Sequence, residues 1–177
     1  MKTVKLFLAS LLLVGIAYSC AVQEKASRDL NKEVRQLESQ GWKPLPATPS
    51  IQEQVAVSRQ KETEIIRKDL SRYVIATGTG KAPQLEMAKA QAMEMAKQEM
   101  AAQMKVSINS LVDYMMTSEK QNTGETASTI RATMENRVST MQRIGRTTTL
   151  MELYREIDHG RVEVLVRLSY DLEELLK

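Results

Sequence analysis

Chemistry in a protein chain starts with its cysteines, histidines and grouped carboxylates, and this chain has few of them. It carries one cysteine and one histidine in 177 residues. Cys20 has no internal partner for a disulfide, and an unpaired cysteine in an exported chain calls for an explanation. His159 lies beside Asp158 in the tripeptide Asp158-His159-Gly160. Adjacency along the chain does not make a proton-transfer pair, because geometry must bring donor and acceptor together; the pair reads as a turn. A metal centre needs several His, Cys or carboxylate ligands converging on one point, so neither a metal nor a cofactor is expected. Two carboxylates can hydrolyse a bond without histidine. Glu86, Glu94 and Glu99, however, alternate with lysines and glutamines as on a solvated helix face. Gly78 and Gly80 open like a dinucleotide-binding loop, but Pro83 occupies the place of the third glycine. The pair therefore reads as a tight exit from a strand into a helix. No catalytic residue is assigned.

The surroundings of Cys20 give it a role. Lys2 and Lys5 form a basic start, and the run from Leu6 to Tyr18 is apolar. That run is too short to span a bilayer as a helix and fits the core of a secretory signal, residues 1–19. Ala17-Tyr18-Ser19-Cys20 resembles a bacterial lipobox, in which the cysteine becomes the lipidated first residue. Ser19 and Cys20 agree with that pattern; Ala17 and Tyr18 depart from it. The alternative is an ordinary signal whose cut falls before a cysteine. Lipidation of Cys20 would tether the protein to a membrane, since each buried methylene contributes about 0.8 kcal/mol and several acyl chains together hold firmly. Ala21, in place of an aspartate, favours the outer membrane. Without Lys2 and Lys5, Lys+Arg drops from 25 to 23 against 22 Asp+Glu. The near-neutral balance lacks the dense cationic footprint of nucleic-acid binding.

One long helix must position the rest. From Gln84 to Thr117, Leu85, Ala88, Ala92, Ala96, Met100, Met104, Ile108, Leu111 and Met115 recur at steps of three and four. The intervening residues are mostly strong helix formers. The first half of this stripe is small and the second half large. That contrast predicts a sheet beneath the first half and a second helix against the second; a break near Ser107–Ser110 is the alternative. Eleven methionines, seven of them between Met87 and Met116, serve either as core filler or as the lining of an adaptable groove.

Around it the chain divides readily. Residues 20–49 are expected to form a lipid-anchored segment. Within it Leu30, Val34 and Leu37 mark a short helix over Ser27–Gln40, Trp42 acts as a hydrophobic plug rather than a stacking platform, and Pro44–Pro49 forms a semi-rigid spacer. Residues 50–177 are expected to form the folded domain. Ser50 and Glu53 make a capping box for a charged helix from Ile51 to Leu70, packed only at its ends. Arg72–Gly80 has strand composition. A second helix is predicted from Gly124 to Arg143, with Ala127, Ile130, Met134, Val138 and Met141 on one face, forming a hairpin with the central helix. Thr147–Ile157 and the alternating Val162–Tyr170 form a β-hairpin turning at Asp158–Gly160, and Asp171 caps a short end helix over Leu172–Lys177. The fold expected is α+β: a three-stranded antiparallel sheet packed against a long helix and a helical hairpin.

The glycine-ended strand (Gly78, Gly80), the alanine-rich helix (Ala88, Ala90, Ala92, Ala96, Ala101), a second helix and a closing hairpin with Tyr154, Gly160 and Val164-Leu165-Val166 together resemble the LPP-twenty lipoprotein family. The likeness covers Arg72 to Tyr170. It implies a lipid-anchored α+β protein of the bacterial envelope, some relatives being tied to flagellar structures, and carries no active-site residues. The expected function is a membrane-tethered structural or interaction module without enzymatic activity, with an envelope protein or a second copy as partner. A periplasm-facing ligand binder using the methionine-lined face is the alternative, and a carboxylate hydrolase stands behind both.

Overall fold

The computed structural model describes residues 27–67, 70–117, 132, 135–136 and 147–175. Cys20 and residues 1–19, over which a signal segment is expected, lie outside the described residues. The chain divides between Gln40 and Gly41. Before the division, residues 27–39 form one helix, α1, with Leu30, Val34 and Leu37 at helical spacing.

After it comes the α+β unit. Its elements in order are β1 (Lys43–Pro44), α2 (Ile51–Thr63), β2 (Ile65–Arg67), β3 (Leu70–Ser71), β4 (Tyr73–Ala82), α3 (Leu85–Thr117), β5 (Thr148–Ile157) and β6 (Arg161–Asp171). The main sheet is antiparallel with the order β1-β5-β6-β4. It has four strands, where three were expected. The added strand is β1, in which Lys43 pairs with Tyr154 and Pro44 with Leu153. Two residues, one of them a proline, leave no period to read. The Leu45 amide also donates to the Glu152 carbonyl at 3.1 Å, and Leu45 is buried. Pro44–Pro49 is therefore an edge strand and turn of the domain, not a spacer. Proline is tolerated there because an edge position leaves its missing N–H uncalled for.

Most of the α3 stripe is buried as its spacing predicts: Ala88, Ala92, Ala96, Met100, Met104 and Ile108 are each at most 4% exposed, Leu85 is half-buried, and the side chains of Leu111 and Met115 lie outside those described. They pack with Val74, Ala76, Val164, Val166, Leu168 and Tyr170 in one core. The helix runs unbroken through Ser107, whose hydroxyl donates back to the Gln103 carbonyl at 3.2 Å. The helix expected over Gly124–Arg143, and with it the hairpin, lies outside the described residues apart from Ala132, Glu135 and Asn136, whose backbone is helical.

The α2 helix covers the opposite face of the sheet and begins at the expected capping box. The Glu53 amide donates to Ser50 Oγ at 3.3 Å, and the Ser50 amide donates to Glu53 Oε2 at 2.9 Å. It ends at Thr63 rather than at Leu70. Glu64 turns extended, and a small hairpin of β2 and β3 follows, closed by the Arg72 amide donating to the Glu64 carbonyl at 2.9 Å. Ile66 and Leu70 sit four apart, which mimics a helical step, but the β-branched pair Ile65–Ile66 prefers the extended backbone. Nor does α2 touch only at its ends: Ile51, Gln54, Val55 and Ser58 are all buried.

Candidate functional site

The expected chemistry-bearing residues do not converge. Asp158–Gly160 is a single 3-10 turn between β5 and β6, with Asp158 exposed and Gly160 at φ +67°. Glu86, Glu94 and Glu99 are exposed on α3, and Lys97 Nζ lies 3.0 Å from Glu94. Among the described residues no three His, Cys, Asp or Glu side chains are grouped to hold a metal. Of the described methionines, Met100, Met104 and Met151 are in the core, while Met87 and Met95 are about half exposed.

The ionic contacts hold elements together. Among the described residues Glu163 is the buried carboxylate. Arg155 Nε donates to its Oε2 at 2.7 Å, and Lys81 Nζ lies 3.3 Å from its Oε1. Burial pushes the Glu163 carboxyl up, but the hydrogen bonds from Arg155 and Lys81 outweigh this and hold it below its ordinary value. Arg155 in turn stacks 4.5 Å from the centroid of buried Trp42, which is the plug its composition suggested. Arg72 bonds Asp171 through Nε at 3.1 Å and Nη2 at 2.9 Å, and Asp171 raises the guanidinium pKa. Arg167 spans from β6 to α2, with Nη1 2.9 Å from Ser58 Oγ, and reaches Thr77 Oγ1 at 3.3 Å. Gln54 is the polar lock beneath α2. Its Nε2 donates to the Pro49 carbonyl at 2.6 Å, and its Oε1 accepts from the Glu152 amide at 2.6 Å.

What remains open is a groove along the outer edge of β4. Among the described residues no strand lies beyond β4. Two bonds fix the direction of its backbone groups. The Arg72 carbonyl points inward and accepts from Leu172, on the β6 side, at 2.9 Å. The Lys81 amide points outward and donates to Gln91 Oε1 of α3 at 2.9 Å. By the alternation of a strand, Ile75, Thr77 and Thr79 therefore present N–H and C=O outward.

The helix forms the second wall because it lies on β4 itself. A Cβ built on Gly78 would overlap the Ala92 carbonyl oxygen and Ala96 amide nitrogen, and one on Gly80 the Ala88 carbonyl and Ala92 nitrogen. The two glycines are therefore a packing device rather than only a strand exit. Between helix flank and strand edge lies a depression of about 570 Å³ whose lining includes Ile75, Thr77, Thr79, Met95, Gln98, Glu99 and Gln103. A second of about 300 Å³ continues it past Tyr73 and Val106. The two share Ile75 and Gln103.

This site was missed in the sequence, though one signal pointed to it. Met87, Gln91, Met95, Gln98, Ala102 and Val106 follow at steps of 4, 4, 3, 4 and 4; all are exposed and none is charged. An uncharged exposed stripe on a helix otherwise studded with Lys and Glu marks a surface meant to be touched. No protein-family model, curated protein or solved structure matches this chain.

Proposed function

We propose that this chain is a membrane-tethered interaction module of the bacterial cell envelope, anchored at the outer membrane through a lipidated Cys20. The observation that carries the tether is the placement of the one cysteine directly after an apolar run with a basic start. The exposed groove of β4 and α3 supports the interaction half of the reading, because it offers backbone hydrogen-bonding groups and apolar side chains together. The likeness to the LPP-twenty family, one of element order and small residues, points the same way. In this reading the domain works by being held at a surface, and its partners are the membrane and an envelope protein.

Cys20→Ser tests it. The variant is expected to lose the acyl chains, to leave the membrane fraction, and to reproduce the phenotype of a deletion while the domain stays folded. Intact mass of the mature protein and cell fractionation read the result. A wild-type protein whose Cys20 carries no lipid would overturn the tether. Loss of function in Asp158→Asn or His159→Ala, with normal folding and location, would place chemistry at the hairpin turn and overturn the non-catalytic reading.

A further inference from the structure

We infer that the groove beside β4 takes an extended, uncharged peptide segment of another protein as an additional antiparallel or parallel strand. This inference rests on the reading of the chain as an interaction module and names the chemistry of its partner.

Three observations carry it. First, β4 runs ten residues and, among the described residues, ends the sheet. Exposed edges of that length are usually blunted by charge, proline or a bulge, because their free N–H and C=O groups recruit other strands. Here no charged residue lies between Arg72 and Lys81, no proline interrupts, and the pairing of β4 with β6 is regular over all ten residues. Secondly, the edge is one wall of a groove and α3 is the other. A strand laid on Ile75, Thr77 and Thr79 would gain main-chain bonds there, and alternate side chains would meet Met95, Gln98 and Gln103. Thirdly, the charge character selects the occupant. Glu99 is the sole ionisable group of the larger depression. Lys81 is engaged by Glu163, and Arg72 by Asp171 and Glu173. An anionic peptide would meet only the like charge of Glu99, and a cationic one would find that single exposed carboxylate, whose ion pair is worth little. Small β-branched side chains suit a shallow, uncharged pleat.

A second copy of the chain fits less well. In the antiparallel two-fold pairing of β4 with β4, the added strand sits about 4.8 Å away. Each copy carries α3 directly over β4, backbone against backbone at Gly78 and Gly80. Two packed helices need about 8–10 Å between axes. The helices would collide where the strands should join, whereas a bare peptide strand carries no helix.

The test uses the full-length, detergent-solubilised protein. Amide exchange comes first. In the free protein Ile75, Thr77 and Thr79 should exchange at least tenfold faster than Val74, Ala76 and Gly78. The probe is a blocked ten-residue peptide of alternating valine and threonine carrying fluorescein on a glycine spacer. Binding should raise its anisotropy and slow exchange at Ile75, Thr77 and Thr79. Thr77→Pro deletes one outward N–H that the β6 ladder does not use, and should weaken binding at least tenfold. Thr77→Lys, which keeps the backbone intact, should weaken it similarly and covers the case in which the proline variant fails to fold. Slow exchange at the outward amides of the free protein would mean that the chain or a second copy already fills the groove, and would overturn the inference. So would no binding, or equal binding by Thr77→Lys. Photo-cross-linkers at Thr79 and at exposed Val57 on α2 separate this failure from that of the module reading. Cross-links from Val57 alone sink the groove and leave the module; cross-links from neither sink both.

Discussion

On one face of the sheet, α3 meets β4 through Ala88, Ala92 and Ala96 set against Gly78 and Gly80. On the other, α2 meets β5 and β6 through Ile51 and Val55 together with buried Gln54 and Ser58. At the Ala–Gly contacts themselves no polar side chain takes part, and Gln91 adds one hydrogen bond, from the Lys81 amide, at their margin. The specificity of this first contact is steric: only residues without bulk let two backbones approach so closely. The second is directional, and each buried polar group has a partner. A steric contact tolerates no added atoms but has little dependence on pH. A polar contact can absorb changes of shape, yet removing one partner leaves the other buried and unsatisfied, at about 1–3 kcal/mol.

The sharpest way to break this comparison is at Gly78. Gly78→Val places three carbons where the Ala92 carbonyl and Ala96 amide now lie. Neither wall can yield without moving a strand or a helix. We expect a loss at the upper end of overpacking costs, about 3 kcal/mol or more, read as a large fall in the denaturation midpoint. Ala92→Phe approaches the same contact from the helix side and should cost about 1–3 kcal/mol. Wild-type stability in Gly78→Val would show that α3 does not rest on β4.

What could be read in the sequence follows the same division. The α3 stripe from Leu85 to Ile108 was legible because its period is long and sustained. The β5–β6 hairpin was legible because Val162, Val164, Val166, Leu168 and Tyr170 alternate. Gly78 and Gly80 were visible as residues, but not as the seat of a helix, since the alanines they meet lie eight to eighteen positions away, in the next element. The buried face of α2 was illegible at Gln54 and Ser58, because polar residues carry no mark of burial until their partners are known. β1 is too short for any period. The β4 groove depends on which strand ends the sheet, a non-local outcome that no window of residues contains; only the missing charge along Met87, Gln91, Met95 and Gln98 hinted at it.

The polar side of the comparison is tested at Glu163. Its folded-state carboxyl lies below the ordinary range, so its contribution is fully present above the unfolded value of about 4.3 and is lost as pH falls through the lower folded value. Glu163→Gln removes the charge that Arg155 and Lys81 share. At neutral pH we expect it to cost about 1.5–3 kcal/mol. The gap to wild type should narrow steadily below about pH 4.3 as the native carboxylate is protonated. Denaturant melts of both proteins at neutral and acid pH measure this directly. A gap that is constant with pH would mean the residue acts by shape, which would move this corner of the sheet into the steric class.

The smallest effect belongs to Gln98, and it is informative because it should be small. Ala96, two residues earlier, is buried under the sheet, whereas Gln98 is exposed in the wall of the groove. Gln98→Ala keeps helix propensity and removes only atoms that face water, so thermal stability should change by no more than about 0.5 kcal/mol. Thermal melts of Gln98→Ala and Ala92→Phe, run side by side, measure the asymmetry of a single helix. If the two fall equally, α3 is rotated from the orientation described, and the groove wall is not where Met95 and Gln98 place it. If only Ala92→Phe falls, the flank of α3 facing the open edge of β4 is free of any duty to the fold. Its side chains can then be exchanged, and any change in what the protein binds can be assigned to the groove.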